Sequence, residues 1–411
     1  MKRWIVIWMV AMVSLHAEKL YKVTPSEMVM MDTIEDDAPT TIEVGASQTQ
    51  APSERNATQV DVEVISADEY LADTGEEMQT ADLSDLSVSK PKIALLVPRK
   101  VIGAYANSVA NAILSYLLYQ KSHFIFELFD SGTQSREDLT LALGKIRQKG
   151  YRIIVAPLTP SGANTLAALQ PDALVYVPTV NSMDMESENP NFLYGGIDYE
   201  AQIDALLSYA QPRIAVFGDG SALAKKLMGF IQQKRLEDIV YHKEIKNAKA
   251  NQIYLLKGNR KLKNASVFLN MPVVKSALMA AQMSRYKVPY ANILSTQVSY
   301  SPLLFTLTQY PDRRKFYIAN AISSVPFGLE DTDALLGSDI RFNWINYAAS
   351  VGIDYILTDY LHSGRAKQFG EPMIDRQVYY NTTVMRAGEG SFVPVGDFDA
   401  KAPERETPPQ Q

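Results

Sequence analysis

The sequence predicts an α/β protein with two Rossmann-like lobes, each built on a parallel sheet, preceded by a disordered acidic segment. Short apolar runs alternate with segments of helical period from Lys92 onward, and this β-α-β-α order implies parallel strands with helices on both faces. The alternation starts again at Arg213, which indicates the second lobe. Residues before Pro91 show no lasting apolar period and are rich in acids, as disordered segments are.

The N-terminus has the pattern of a secretory signal peptide. Two bases precede an apolar stretch of 12 residues from Trp4 to Leu15, and Ala17 stands before the charged Glu18. This stretch is shorter than the ~20 residues that span a bilayer. Cleavage after Ala17 (residues 1–17) is therefore the favoured interpretation, and an uncleaved anchor is the alternative. The expected location is the bacterial periplasm, peripheral to the membrane at most.

Charge is distributed unevenly along the chain. Residues 18–90 contain 17 Asp and Glu against 4 Lys and Arg, whereas residues 91–396 contain 25 acids and 32 bases. We interpret 18–90 as a disordered acidic tether and the Pro-rich residues 397–411 as a disordered tail. The chain has no cysteine, so disulfides, thiolate nucleophiles and a lipid-modified cysteine are excluded within it.

Five apolar runs predict the strands of the first lobe. One helix between them has clear end signals: Ser135 in the N-cap position, Asp138 three residues later, and Gly150 past the end. The runs are KIALLVP (92–98), FIFELFD (124–130), RIIVAPLT (152–159), ALVYVPT (173–179) and NFLYGGI (191–197).

The second lobe repeats the alternation. A long helix is predicted over 341–364, and QVYYNTTVMRAGEGSFVPV (377–395) has the pattern of a hairpin with AGEG as its turn. We divide the chain into a first lobe of 91–211 plus 300–362 and a second lobe of 212–299 plus 363–396. The predicted strands of this half are RIAVFGDG (213–220), IVYHKEI (239–245), ASVFLN (265–270), NILSTQV (292–298) and KFYIANAI (315–322).

The order of these segments resembles the type I periplasmic binding proteins over about 300 residues from Lys92. KIALLVPRKVIGAYANSVANAI is similar to that family's opening strand, loop and first helix, and PRIAVFGDGSALAKKLMGFIQQ to the start of its second lobe. Further similar stretches are DSGTQSREDLTLALGKIRQKGYRIIVAPLTPSGANTLA and INYAASVGIDYILTDYLH.

Two branches of that family remain open. One comprises the solute receptors of amino-acid and amide transporters. The other comprises LpoA-type activators of penicillin-binding proteins, which VFLNMPVVKSALMAAQMSRYKVPYANILSTQVSY resembles somewhat better. Activators of that type resemble lipoproteins with a helical-repeat domain in front, and residues 18–90 show no such repeats. The resemblance implies a small-molecule ligand or a periplasmic protein, either a permease or a peptidoglycan synthase, as the partner.

Polar side chains follow the predicted strands where each one ends. In open α/β sheets, ligands bind outside the carboxyl ends of the strands, next to the free N–H groups of helix N-termini. The alternative is that these residues only cap helices and form turns. The candidate ligand-binding residues are Arg99, Thr159, Ser161, Thr179, Asn181, Asp219, Asn270 and Thr296.

The charge at these positions narrows the ligand class. Resemblance to the solute receptors implies an acid in the second lobe that pairs with the ammonium of an amino acid. The later strand ends offer Asn270 and Gln297, and Asp219 is the only acid nearby. A buried ammonium without an anion is costly. The expected ligand is therefore neutral or anionic, or there is none.

Catalysis has little support in the sequence. The four histidines are far apart, and neither a metal-ligand spacing nor a G-x-S-x-G nucleophile elbow is present. We therefore expect a non-catalytic binding module, with no cofactor, no metal and no nucleic acid as a partner. The alternative function is an interaction protein that regulates a peptidoglycan synthase.

Two further stretches suggest surface roles. KEIKNAKANQIYLLKGNRKLKN (243–264) holds seven bases and one acid, which could meet acidic glycan, lipid headgroups or the acidic tether, or could simply be a solvated surface. Glu54 to Thr58 match the acid-extended N-glycosylation sequon of some bacteria, with Asn56 as the acceptor.

Overall fold

Two seven-stranded sheets form the fold. The computed structural model describes residues 90–395, apart from Ser122 and Glu188. The predicted signal peptide, all but the last residue of the acidic tether, the candidate glycosylation site Asn56 and the tail lie outside the described residues. In the described part of the chain, none of the helices is long and apolar enough to cross a bilayer.

The first sheet has the strand order β11-β12-β5-β4-β3-β1-β2. Six of its seven strands are parallel, and the short antiparallel strand β11 closes one edge. The strands are β1 Lys92–Val97, β2 Ile125–Asp130, β3 Ile153–Val155, β4 Leu174–Val177, β5 Phe192–Tyr194, β11 Met373–Ile374 and β12 Gln377–Val378.

The second sheet has the order β14-β13-β10-β9-β8-β6-β7. Its first five strands in the chain therefore repeat the order of the first five in the other sheet, and an antiparallel hairpin forms the edge. The strands are β6 Ile214–Gly218, β7 Ile239–Glu244, β8 Ser266–Asn270, β9 Asn292–Ser295, β10 Phe316–Asn320, β13 Thr383–Ala387 and β14 Phe392–Pro394. This arrangement confirms the predicted two-lobed α/β fold.

Helices cover both faces of each sheet. The predicted cap at Ser135 is confirmed, since its Oγ accepts a hydrogen bond from the Asp138 N–H at 3.2 Å. The helices are α1 Arg99–Ile102, α2 Tyr105–Tyr119, α3 Arg136–Gln148, α4 Pro160–Ala168, α5 Tyr199–Leu207, α6 Ala222–Arg235, α7 Ile253–Leu256, α8 Val273–Arg285, α9 Leu303–Leu307, α10 Tyr310–Arg313, α11 Phe327–Leu335 and α12 Trp344–Tyr355.

The lobe boundaries differ from the division made on the sequence. Helix α5 packs on the second sheet and strand β10 belongs to it, although both fall in the ranges predicted for the first lobe. Strand β12 pairs with β5 in the first sheet, whereas β13 and β14 form the hairpin of the second. The predicted hairpin over 377–395 is therefore wrong for its first residues, because the chain changes lobes between β12 and β13.

The described chain passes between the lobes at three places, residues 195–198, 321–326 and 379–382. The buried Tyr176 and Tyr347 and the half-buried Tyr380 lie at these crossovers. The Tyr380 hydroxyl donates to the Gly195 carbonyl oxygen at 2.7 Å, which joins two crossovers, and the Tyr176 hydroxyl donates to the Ala348 carbonyl oxygen at 2.6 Å. The Tyr347 hydroxyl donates to Glu371. We refer to Tyr176, Tyr347, Glu371 and Tyr380 as the crossover cluster.

Substitution of Gly352 tests how tightly helix α12 packs on the crossover cluster. A Cβ at Gly352 would lie 1.9 Å from a ring carbon of Tyr176, so we expect Gly352→Ala to lower the free energy of unfolding by about 1–3 kcal/mol. Gly144, in helix α3, has open space around its Cβ position. We expect Gly144→Ala to raise stability by about 0.5–1 kcal/mol. Urea denaturation of both variants measures the two changes in the free energy of unfolding, which should have opposite signs. Equal changes would contradict the close packing at Gly352.

Asp333 makes stability depend on pH. Its side chain is buried between helices α2 and α11, and burial raises its pKa from 3.8 to about 6 despite the nearby hydroxyls of Ser115 and Ser338. The folded state therefore binds this proton more tightly than the unfolded state. Its contribution to stability is present below pH 3.8 and is lost as the pH rises through 6.

We expect Asp333→Asn to raise the free energy of unfolding at pH 7.5 by about 1–3 kcal/mol, and by much less at pH 4. Asp331→Asn, on an exposed position of the same helix, is the matched control and should change little. Urea denaturation at both pH values makes the measurement. A benefit of equal size at the two pH values would show that the charge of Asp333 is not the cause.

Candidate functional site

The carboxyl edges of the two sheets face one another. Asp184 lies in the turn after strand β4 of the first lobe, and Lys226 lies in helix α6 after strand β6 of the second lobe. Their side chains form an ion pair between the lobes. Because both residues follow the carboxyl ends of their strands, this contact places the two loop-bearing edges on either side of one groove.

Most candidate residues of the first lobe are hydrogen-bonded within the lobe. Thr159 caps helix α4 through the Gly162 N–H and donates to Gln134 at 2.6 Å. Asn181 caps the turn Ser182–Asp184 and donates to the Gly196 carbonyl oxygen at 3.3 Å. Thr179 donates to the Leu158 carbonyl oxygen. These three side chains hold the loops of the groove in place.

Two candidates of the first lobe stay open to solvent. Arg99 begins helix α1 with its side chain 45% exposed, and its Nε lies 3.9 Å from Asp130. Ser161 is exposed in the first turn of helix α4. Both stand at the carboxyl edge, where a ligand could reach them without breaking a buried contact.

Asp219 is already neutralised by a neighbour. Lys275 of helix α8 lies 3.0 Å from one of its carboxylate oxygens, and Ser221 donates to the other. Burial alone would raise the pKa of Asp219, but the hydrogen bonds from Ser221 and Lys275 outweigh it and hold that pKa below its ordinary value. Asp219 therefore remains ionised, and the ammonium of Lys275 neutralises its charge.

Asn270 and Thr296 are the candidates whose buried polar atoms have no partner. Asn270 ends strand β8 and is 2% exposed, and Thr296 follows strand β9 and is 1% exposed. Strands β8 and β9 are parallel, and their register pairs Phe268 with Leu294. Asn270 and Thr296 each lie two residues further along, so they are neighbours. Among the residues that the structure describes, both amide atoms of Asn270 and the hydroxyl of Thr296 lack a hydrogen-bond partner.

Two glutamines complete this group. The Gln202 Oε1 of helix α5 accepts from the Gln297 N–H at 2.9 Å, and the Gln297 Oε1 accepts from the Ala321 N–H at 2.6 Å. The Nε2 groups of both glutamines are buried without a hydrogen-bond partner in the described part of the chain. We refer to Gln202, Asn270, Thr296 and Gln297 as the amide cluster.

The amide cluster is rich in hydrogen-bond donors and carries no charge. Its unpartnered atoms are three amide NH₂ groups, one amide oxygen and one hydroxyl. Buried polar atoms are nearly always satisfied by protein, water or ligand. A carbonyl, carboxylate or hydroxyl group would satisfy this set, whereas an ammonium would meet too few acceptors.

Sequence reasoning missed three residues of the groove. Gln202 lies on the buried face of helix α5 between apolar neighbours such as Ile203 and Leu206. A polar residue within an apolar stripe of a helix is the sequence signal that could have identified it. Lys226 and Asp184 gave no local signal, because their pairing depends on how the lobes meet.

A metal centre is not formed by the described residues. Within them, no group of three or more histidines, aspartates and glutamates is placed to hold a metal ion.

Comparison with solved structures gives the same architecture. The branched-chain amino-acid binding protein LivJ of Streptococcus pneumoniae, solved with isoleucine, superposes with a TM-score of 0.53 at 11% identity, covering 75% of this chain and 99% of LivJ. A solute-binding protein of R. palustris, solved with 4-hydroxybenzoate, gives 0.52 at 11% identity over 74% of this chain and 95% of its own. No protein-family model matches the chain, and no curated protein matches it by sequence.

The chain has the type I periplasmic binding protein fold. Full-length LpoA of Haemophilus influenzae also shares it, with a TM-score of 0.51 at 12% identity, and the match covers 75% of this chain and 59% of LpoA. At these identities the likeness establishes the fold, which both suspected branches share.

Loss of the ion pair between Asp184 and Lys226 should loosen the contact between the lobes. Spin labels on cysteines at Leu141 and Leu236, exposed residues of the first and second lobe, report the distance between the lobes by pulsed electron resonance. The chain has no other cysteine. We expect Asp184→Asn to increase the population of longer distances a few-fold, since an ion pair near the surface contributes about 0.2–1 kcal/mol. The side chains of Lys226 and Asp184 are 35% and 25% exposed.

The reversed pair, Asp184→Lys with Lys226→Asp, should restore the narrow distribution. Lys234→Gln removes an ion pair with Glu200 and Asp204 inside the second lobe and should leave it unchanged. If Asp184→Asn and Lys234→Gln behaved alike, the ion pair would not hold the lobes together.

Proposed function

We propose that the chain is a non-catalytic periplasmic binding module that holds a small neutral or anionic ligand between its lobes. The observation that carries this proposal is the amide cluster, whose five unpartnered buried atoms lie at the carboxyl edge of the second sheet. Leaving so many polar groups unsatisfied would cost several kcal/mol. A polar ligand group bound there would recover that free energy.

The charges around the groove favour a ligand without an ammonium group. The amide cluster offers no carboxylate, and Asp219 is paired with Lys275 at 3.0 Å. An ammonium placed there would lose its hydration without gaining an anion. A carboxylate would instead accept hydrogen bonds from the amide groups, and Arg99 at the facing edge could add a charge-assisted bond.

The ligands of two structural neighbours illustrate the two classes of ligand, with and without an ammonium group. Isoleucine, bound in LivJ, carries both an ammonium and a carboxylate, whereas 4-hydroxybenzoate, bound in the R. palustris protein, carries a carboxylate and a hydroxyl. The second set of groups fits the donor-rich amide cluster better. We therefore expect hydroxylated carboxylates to be bound in preference to free amino acids.

An envelope interaction protein of the LpoA type, which regulates a peptidoglycan synthase, is the second candidate. The ion pair between Asp184 and Lys226 favours it, because the two edges meet through side chains of the protein itself. In this alternative the groove has no ligand, and the outer surface of the closed lobes binds the synthase.

A thermal-shift panel discriminates between these functions. The panel contains isoleucine, 4-hydroxybenzoate, other hydroxylated carboxylates, and neutral sugars, each at millimolar concentration. A ligand that binds only the folded state stabilises it by about 2.7 kcal/mol at one hundred times its dissociation constant. We expect hydroxylated carboxylates to raise the melting temperature by several degrees and isoleucine to leave it unchanged.

Two variants test whether such a shift of the melting temperature depends on the amide cluster. Asn270→Ala with Thr296→Val should abolish most of the shift, whereas Thr140→Val, on the exposed face of helix α3, should preserve it. A shift with isoleucine alone would contradict the proposed ligand class. No shift with any compound, together with a synthase recovered by cross-linking in the periplasm, would replace the proposal with the second candidate.

A further inference from the structure

The second lobe carries a strongly basic surface that lies outside the proposed ligand site. Between Ile239 and Tyr290 the sequence has ten Lys and Arg residues and a single acid, Glu244. Seven of these bases follow one another along edge strand β7, helix α7 and the turns that lead into strand β8, and all seven are exposed. We call them the basic face: Lys243, Lys246, Lys249, Lys257, Arg260, Lys261 and Lys263.

The charges of the basic face are not compensated by the rest of the described chain. None of its seven bases forms an ion pair with an acid among the described residues, whereas Lys275, from the same part of the sequence, pairs with Asp219. Seven like charges close together repel one another and attract a polyanion.

The basic face is held in a fixed shape by the lobe beneath it. Leu256 and Leu262 are buried under it, and Gln282 of helix α8 donates to the carbonyl oxygens of Ala248 and Ala250 at 3.0 and 3.2 Å. The backbone that carries the bases is thus anchored to the core. Tyr254 lies between Lys249 and Lys257 in the sequence with 95% of its surface exposed, so a label at this position reports on the basic face without disturbing the core.

We propose that the basic face binds the acidic segment of the same chain, residues 18–89. This segment contains 17 Asp and Glu against 3 Lys and Arg, so its net charge of −14 is opposite to that of the basic face. Its 72 residues can extend to about 240–260 Å when fully stretched, whereas a lobe of ~150 residues has a radius of gyration of about 15 Å. Any point on the second lobe is therefore within reach of the segment.

Because the acidic segment and the basic face belong to the same chain, weak ion pairs are sufficient to hold them together. A tethered segment is present at an effective concentration in the millimolar range, and several exposed pairs of about 0.2–1 kcal/mol each add to the binding. Salt screens such pairs, since the Debye length is ~10 Å at 0.1 M and 3 Å at 1 M. The segment therefore covers the basic face at low ionic strength and leaves it as salt is raised, or when a stronger polyanion competes for the same surface.

Energy transfer between two dyes on the full chain tests this contact. The chain has no cysteine, so Ser66→Cys and Tyr254→Cys give one label on the acidic segment and one on the basic face. We expect a high transfer efficiency at 20 mM salt that falls at least two-fold at 0.5 M salt. Charge reversal by Lys246→Glu, Lys249→Glu and Lys257→Glu should give the same fall at 20 mM salt.

A matched charge reversal on the first lobe is the control. Lys121→Glu, Arg136→Glu and Lys145→Glu change the net charge equally, on exposed positions, and should leave the efficiency as it is. Equal efficiencies for the two reversed variants, or an efficiency that does not depend on salt, would overturn the proposal. The result does not depend on whether the groove binds a ligand.

Discussion

The hydrogen bonds of the crossover cluster are the constraint on which the groove depends. Parallel strands place all their carboxyl ends on one edge, but nothing within a single sheet makes that edge face another. Tyr380 ties two of the connections between the lobes together through Gly195, and Tyr347 and Glu371 join two segments of the first lobe beside them. With the connections held in this way, the lobes meet edge to edge, and Asp184 can reach Lys226.

This arrangement gives the two sides of the groove different properties. On the first lobe, Thr159, Thr179 and Asn181 form hydrogen bonds within the loops, and the other two candidates, Arg99 and Ser161, stay open to solvent. On the second lobe, the amide cluster presents polar atoms that the protein itself does not satisfy. Under the proposed function, a ligand is recognised mainly by amide groups of the second lobe and oriented by the first.

Much of the fold was predictable from the sequence because its signals are local. The apolar runs, the cap at Ser135 and the repeated alternation gave the strands, their parallel order and the presence of two lobes. The lobe boundaries were not predictable, because β12 and β13 lie close together in the sequence and the sheet that each one joins depends on where the chain crosses between the lobes. The hydrogen-bond partners of the polar residues at the strand ends were not predictable either, because such partners lie far away in the sequence or are absent from the described residues. Thr159 donates to Gln134, 25 positions away, whereas the side chain of Asn270 has no hydrogen-bond partner among the described residues.

The most direct test of the proposed site is a crystal structure of the protein as purified from its own cells, at a resolution that shows individual waters. The proposed function predicts density for a polar molecule larger than water, within hydrogen-bond distance of Asn270, Thr296 and the Nε2 groups of Gln202 and Gln297. Density for isolated waters alone, or side chains of the amide cluster turned to bond with one another, would contradict it.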